Sequence, residues 1–185
     1  MRSASTVYVT SAEDYDGHQH RLKHTACPHC RAVGCLIRHG YLRGYGDSIA
    51  GAIQHGWRVF CSNRGHKEGC GRTYAIVLAN HLYRRLVDAQ RLWKFLAGIQ
   101  DGASIKQAWE PVASPFCLET GYKLWAAFIR NQSAVRSKLH AVVRPMATVL
   151  TPVCQTILHL KTVFPQAYCP VAAFQTAFQD AFLAR

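Results

Sequence analysis

Acidic side chains are scarce in this chain of 185 residues. Asp and Glu together number 10 against 22 Lys and Arg, and the formal net charge is +12 at pH 7. A surplus of this sign attracts polyanions, of which nucleic acid is the usual case. Enzymes that hold two metal ions for phosphoryl chemistry need several carboxylates, yet Asp180 is the only acid beyond residue 119. We therefore expect no catalytic centre.

Long apolar runs are also missing. No stretch approaches the ~18 uninterrupted apolar residues of a membrane span, and Met1-Arg2-Ser3 leads into polar sequence rather than a signal-peptide core. We expect a cytoplasmic protein that does not contact membranes. Its 8 cysteines are then expected to be reduced, because disulfide scaffolds belong to short exported chains.

Four of these cysteines form two pairs. Cys27-Pro28-His29-Cys30 is followed, after a β-like stretch, by Cys61 and Cys70. A single C-x-x-C is compatible with a redox dithiol, but its thioredoxin-like βαβ context is missing here. Two thiolate pairs at this separation predict a tetrahedral zinc site of the ribbon type.

The second pair leaves the ligand set open. Eight residues separate Cys61 from Cys70, which is long for a zinc knuckle, a tight turn carrying two cysteine ligands. His66 is the substitute ligand if this loop folds back. His29, Cys35 and His39 are near enough in sequence to compete, although a surface histidine or a small core thiol is the commoner role.

The sequence divides into four segments. An N-terminal arm covers 1–26, a β-rich zinc ribbon 27–78, a helical domain 79–144 and an apolar helical tail 145–185. The predicted fold class is therefore α+β.

Strands are expected near 36–45 and 57–61, because glycines punctuate this region and supply tight turns. Helical periodicity begins at about Asn80 and continues to Leu96. Further helices are predicted over 104–109, 120–130 and 133–143.

The tail carries Phe174, Phe178 and Phe182 at helical spacing. We expect this stripe to pack in the protein's own core, which is the commoner outcome for such a stripe. A homodimer or another protein bound through the tail stays open as the alternative.

The cysteine segment resembles a known family. Cys-Pro-His-Cys at 27–30, the glycine-punctuated strand at 38–44, Trp57-Arg58-Val59-Phe60-Cys61 and Cys70-Gly71-Arg72-Thr73-Tyr74 are similar to the zinc ribbon that begins bacterial insertion-sequence transposases and their short DNA-binding regulators. The long second knuckle and an insertion between the strands depart from that pattern. The resemblance implies zinc held by Cys27, Cys30, Cys61 and Cys70.

The same family places a helix-turn-helix after the ribbon, and residues 96–109 are similar to its first two helices. In such a motif the next helix lies in the major groove, which implies base contacts from residues 120–130, while Trp125 and Phe128 are expected in the core. Basic residues around the ribbon would clamp phosphates. The implied contact residues are Arg64, Lys67, Arg72, Arg84, Arg85, Tyr122, Lys123 and Arg130.

The resemblance implies a zinc-dependent, sequence-specific binder of double-stranded DNA, a regulator or accessory factor of transcription or mobile-element recombination. It would act in the bacterial cytoplasm, at the nucleoid when bound. The alternative is a non-catalytic adaptor or RNA-binding zinc ribbon in a larger complex.

A second resemblance concerns His18-Gln19-His20. These residues are similar to the paired histidines of single-strand nucleases that use a tyrosine nucleophile, for which Tyr15 or Tyr122 would be the candidate. In that family a hydrophobic residue stands where this chain has Gln19.

Overall fold

The chain is known here from a computed structural model, which describes residues 6–45, 52–82, 85–112, 116–145 and 151–183. Two compact units divide it: residues 6–45 with 52–79, and the described residues from Asn80 onward. The first unit holds a four-stranded sheet and the second is helical. The predicted α+β class is confirmed. Among the described helices, none combines the length and apolarity needed to cross a lipid bilayer.

The sheet has the strand order β1-β4-β3-β2. A long antiparallel hairpin joins β2 to β3, β3 also pairs antiparallel with β4, and β1 runs parallel to β4 at the opposite edge. The hairpin strand β3 begins well before Trp57, where the sequence predicted its start. The strands are β1 (Thr6–Val9), β2 (Leu36–Tyr45), β3 (Ala52–Cys61) and β4 (Thr73–Leu78).

Strand β4 was not singled out from the sequence, although Tyr74-Ala75-Ile76-Val77-Leu78 is an apolar, β-branched run of the kind that favours strands. Its alternate residues Tyr74 and Ile76 are 3% and 0% exposed. They pack with Val59 of β3 in the core of this unit. Strand β4 begins three residues after Cys70, the last predicted zinc ligand, so its packing in the core anchors the chain next to that cysteine.

The N-terminal segment contributes more to this unit than the arm predicted for residues 1–26. Thr6–Val9 is the edge strand β1, and α1 (Ala12–His20) begins at a capping box formed by Ser11 and Asp14. Tyr15 of α1 stacks on Trp57, with ring centroids 3.5 Å apart and 5° between the planes. The helix therefore covers one face of the sheet, which the polar composition of the segment concealed.

Five helices lie in the described part of the second unit. Phe95, Phe128, Phe174 and Phe182 are at most 1% exposed and belong to one apolar cluster. The phenylalanine stripe of the tail therefore packs into the unit's own core, as the sequence favoured, and Phe178 lies against the same cluster. The helices are α2 (Ala89–Gln100), α3 (Ile105–Trp109), α4 (Leu118–His140), α5 (Pro152–Val163) and α6 (Pro170–Phe178).

Two helix boundaries differ from the sequence prediction. Helix α2 begins after Asp88 rather than near Asn80, because the Asp88 carboxylate accepts a hydrogen bond from the Arg91 amide at 2.7 Å and caps the helix. Helix α4 is continuous where two helices were expected. Asn131, in its middle, does not cap a new helix, and its side chain donates to the Phe182 carbonyl at 2.5 Å.

Helices α2, α3 and α4 pack closely in sequence order. A Cβ added to Gly98 of α2 would lie 3.1 Å from Ala108 Cβ in α3, and one added to Gly121 of α4 would lie 3.0 Å from the Trp109 ring. Trp109 also meets Phe95 edge to face. The absence of side chains at the two glycines thus permits the close approach of all three helices.

Candidate metal centre and basic surfaces

Four thiols converge at one end of the sheet. The Sγ atoms of Cys27, Cys30, Cys61 and Cys70 all lie within 4.8 Å of one another. The Cys27–Cys70 and Cys30–Cys61 Sγ distances are 3.9 and 3.7 Å, far longer than the ~2.05 Å of a disulfide. All four are free thiols, and they lie close enough together to hold a metal ion.

The first pair is held by a tight turn. The Arg31 amide donates to the Cys27 carbonyl at 2.9 Å, and the Cys27 amide donates to the Ala32 carbonyl at 2.9 Å. The His29 amide points at Cys27 Sγ, 3.4 Å away. Arg31 has a φ of 65°, a left-handed conformation that is uncommon for a residue with a side chain. A backbone donor is thus aimed at sulfur, as in the outer shell of a metal site.

The second pair has the same backbone pattern. The Gly71 amide donates to the Cys61 carbonyl at 2.9 Å, and the Cys61 amide donates to the Arg72 carbonyl at 2.8 Å. The Cys70 amide points at Cys61 Sγ, 3.3 Å away. Gly71, with a φ of 70°, occupies the place of Arg31. The two pairs are therefore equivalent knuckles despite their different spacing.

The extra length of the second knuckle is accommodated by a short closure. The Gly69 amide donates to the Ser62 carbonyl at 3.0 Å. Ser62 follows Cys61 and Gly69 precedes Cys70, so this bond brings them together as if they were the two middle residues of a C-x-x-C turn. A Cβ on Gly69 would lie 2.1 Å from that carbonyl oxygen. Residues 63–68, which we call the inserted loop, are all exposed. Sequence reasoning missed Gly69 because its role depends on this closure.

The thiols ionise unequally. The Ala32 amide, as the main cause, lowers the pKa of Cys30 to about 7. Burial raises the pKa of Cys61 to about 12 and also raises that of Cys70. Four thiolates together therefore need a compensating positive charge at neutral pH, which a metal cation supplies.

The competing ligands lie outside this group. His29 Nε2 donates to the Thr73 carbonyl at 3.3 Å, and the Cys35 thiol is directed at the Val33 carbonyl at 3.7 Å. His39 packs against Phe60. His66 lies on the exposed inserted loop. Within the described residues, the four cysteines are the one cluster of His, Cys, Asp and Glu close enough to hold a metal ion.

No protein-family model, curated protein or solved structure matches this chain. The resemblance of the cysteine motif to insertion-sequence zinc ribbons therefore stays a prediction from the sequence.

The basic candidates of the sheet unit lie around the cysteines. Arg64 and Lys67 are exposed on the inserted loop, and Arg72 is exposed two residues after Cys70. The Arg72 carbonyl is occupied by the Cys61 amide, so the knuckle fixes the backbone of this residue. The three cations therefore lie on the segment that contains the second pair of cysteines or directly follows it.

The candidates of the helical unit lie on α4, apart from Arg84 and Arg85. Tyr122, Lys123 and Arg130 are exposed, and at about 100° per residue they fall within one face of the helix. Lys123 forms an i,i+4 ion pair with Glu119 at 2.7 Å. Arg85 is half-buried, whereas Arg84 lies outside the described residues.

The paired histidines do not form one site. His18 and His20 both lie on α1, so their side chains point about 200° apart around the helix. His18 Nε2 lies 3.4 Å from the Tyr74 hydroxyl, whereas His20 Nδ1 bonds the Asp16 carbonyl at 2.7 Å. Tyr15, the nearby tyrosine, is 2% exposed and stacks on Trp57.

Proposed function

We propose that this chain is a zinc-dependent, sequence-specific binder of double-stranded DNA that serves as a regulator or accessory factor of transcription or mobile-element recombination. The observation that carries the proposal is the convergence of four thiols on two equivalent knuckles, one of which bears a basic loop. The protein is proposed to work by binding, without a catalytic step.

The thiol geometry supports zinc as the bound ion. Zn²⁺ favours four-coordinate tetrahedral sites, and Zn–S bonds of ~2.3 Å place the sulfurs about 3.8 Å apart. Two of the Sγ distances, 3.9 and 3.7 Å, are close to that edge length, and all four sulfurs lie within 4.8 Å of one another. Four protein ligands leave no open position, so the ion has a structural role.

The sheet unit supplies a surface for phosphates. Arg64 and Lys67 project with the inserted loop, and Arg72 follows the second knuckle. Within the described residues no ion pair engages any of these three cations. Cations of this kind position a protein on a duplex without reading its sequence. Zinc would organise this surface because it fixes the knuckles from which the loop emerges.

The helical unit supplies the proposed reading surface. Helices α2, α3 and α4 follow one another and pack through Trp109, as in a helix-turn-helix with a long second connection. The exposed face of α4 presents Tyr122, Lys123 and Arg130 for the major groove. The ion pair of Lys123 with Glu119 is exposed, with side chains 69% and 68% accessible, and such a pair is readily exchanged for a DNA contact.

The proposal is tested by affinity selection. Genomic fragments and random duplexes would be bound to zinc-loaded protein at near-physiological salt, and the retained sequences determined. Enrichment of one motif, especially an inverted pair, supports the proposal. Uniform recovery would contradict it and favour the adaptor or RNA-binding alternative.

Variants then separate reading from clamping. Lys123→Ala and Arg130→Ala are expected to reduce the preference for the selected motif, whereas Arg72→Ala weakens binding evenly on all duplexes. Lys161→Ala, at an exposed position of α5, is the control. Equal effects of the α4 variants on matched and random duplexes would refute the reading role of α4.

A further inference from the structure

Three exposed side chains form a row on the edge strand β2. The guanidinium carbons of Arg38 and Arg43 lie 4.8 and 5.7 Å from the centre of the Tyr41 ring, within the range of a cation–π contact. Arg38 Nη2 also donates to the Tyr41 hydroxyl. We call these three residues the Arg-Tyr-Arg row.

The register of the hairpin explains why Arg38 and Tyr41 share one face. Arg38 pairs with Val59, and Tyr41 pairs with Trp57. Paired residues point to the same side of a sheet, and residues two apart on β3 do so as well. An irregularity between Arg38 and Gly40 inserts the extra residue that aligns Arg38 with Tyr41.

The row lies where this face becomes accessible. Trp57 is 5% exposed beneath α1, whereas its partner Tyr41 on the edge strand is 44% exposed. Arg38 and Arg43, which precede and follow Tyr41 in β2, are also exposed. An aromatic ring flanked by two planar guanidinium groups is therefore presented to solvent on a rigid, hydrogen-bonded strand.

The charge of the row itself favours a polyanion. Arg38 and Arg43 supply this charge, and the strands β2 and β3 contain no Asp or Glu. Within the described part of the chain, neither of these arginines forms an ion pair with a carboxylate. The occupant must satisfy both the cations and the exposed ring, which a phosphate chain carrying flat aromatic bases does.

We propose that the Arg-Tyr-Arg row binds an unpaired stretch of DNA, with a base stacked on the Tyr41 ring and the adjacent guanidinium planes and with the arginines on neighbouring phosphates. Paired bases are already stacked within a duplex and expose only their edges, so this surface suits an overhang or a melted end. The inference rests on the proposed DNA binding and adds a second contact surface to it.

The first test uses the unaltered, zinc-loaded protein. A blunt duplex is compared with the same duplex carrying a short overhang that contains the fluorescent base 2-aminopurine, and with an overhang whose bases are removed to leave abasic sugars. The overhang is expected to bind about tenfold more tightly than either comparison, with quenching of 2-aminopurine on stacking. Equal affinities for the intact and abasic overhangs would overturn the proposal.

The second test assigns the effect to the row. Tyr41→Leu is expected to weaken overhang binding about tenfold and to change blunt-duplex binding by less than about twofold, whereas Tyr41→Phe retains the ring and the affinity. Tyr168→Leu, at a residue 86% exposed in the helical unit, is the control. Equal effects of the Tyr41→Leu and Tyr168→Leu variants would overturn the proposal. Zinc content and circular dichroism establish that each variant is folded.

The two proposals fail in distinguishable ways. If the blunt duplex shows no sequence preference while the overhang still requires Tyr41, the row is supported and the proposed duplex reading fails. If a duplex motif is read but the overhang adds no affinity, the row is refuted and the duplex function stands. Loss of zinc from the Tyr41→Leu variant would leave the decision to the abasic comparison.

Discussion

Arg31 and Gly71 occupy equivalent positions in the two cysteine knuckles. Each follows the second cysteine of its pair, each has a left-handed φ, 65° and 70° respectively, and each donates its amide to the carbonyl of the first cysteine at 2.9 Å. One knuckle uses an ordinary C-x-x-C spacing, whereas the other carries the inserted loop. The local backbone geometry is therefore independent of the length of chain between the cysteines.

This equivalence predicts unequal losses of stability when the residue at each position is substituted. Gly71→Ala places a Cβ in a left-handed residue and is expected to destabilise the zinc-loaded protein by about 1–2 kcal/mol. Arg31→Gly removes such a Cβ, so its stability is expected to change by less than about 1 kcal/mol. Chemical denaturation of both variants measures the difference. A loss in Arg31→Gly as large as that in Gly71→Ala would contradict the equivalence.

The inserted loop is predicted to be dispensable for metal binding. Deletion of residues 63–68 leaves Cys61-Ser62-Gly69-Cys70, an ordinary knuckle sequence, so one zinc per chain is expected to remain. Nonspecific duplex affinity should fall, and its salt dependence should decrease by roughly two units because Arg64 and Lys67 are lost. Metal analysis and salt titration measure the two effects.

Gly69→Ala is the contrasting variant. The added Cβ would lie 2.1 Å from the Ser62 carbonyl oxygen, so the closure must open and zinc affinity should fall. If the deletion loses zinc while Gly69→Ala retains it, the account of the second knuckle is wrong.

Cys30 and Cys35 form a matched pair of thiols. Cys30 belongs to the four-cysteine cluster, whereas Cys35 is 6% exposed outside it and directed at the Val33 carbonyl. Cys30→Ser is expected to abolish stoichiometric zinc binding and unfold the ribbon, because a structural site needs all four ligands. Cys35→Ser should retain the metal. Elemental analysis of the purified variants decides, and equal zinc contents would remove Cys30 from the ligand set.

Tyr15 is predicted to be a packing residue. Its ring stacks on Trp57, and within the described residues its buried hydroxyl has no hydrogen-bond partner. Tyr15→Phe should therefore keep or slightly raise the free energy of unfolding, whereas Tyr15→Ala should lower it by about 3–5 kcal/mol. Thermal unfolding measures both. DNA nicking by the wild-type protein that Tyr15→Phe abolishes would instead identify a catalytic tyrosine.

The sequence was informative where chemistry is local. The two cysteine pairs and the family motif that they resemble predicted which thiols converge, although the spacing alone left His66 open as a ligand. The helix predicted over 104–109 corresponds to α3, which Ser104 caps. The sequence was less informative where the structure depends on packing between residues that are distant in sequence. Polar composition hid the packing of α1 on the sheet, since only Tyr15 is fully buried there.

The closure of the second knuckle was equally hidden. No local signal distinguishes Gly69 from the other loop glycines, because its contact with Ser62 exists only in the folded chain. The bond from the Asn131 side chain, in the middle of α4, to the distant Phe182 carbonyl likewise exists only in the folded chain.

The most direct test of the central claim is the ratio of affinities for the selected duplex and a shuffled duplex, measured by competition with the zinc-loaded protein at near-physiological salt. A zinc-dependent sequence reader is expected to show a ratio of about 10³ or more, which falls toward one after the metal is chelated. A ratio near one for the zinc-loaded protein, or an undiminished ratio after chelation, would contradict the account.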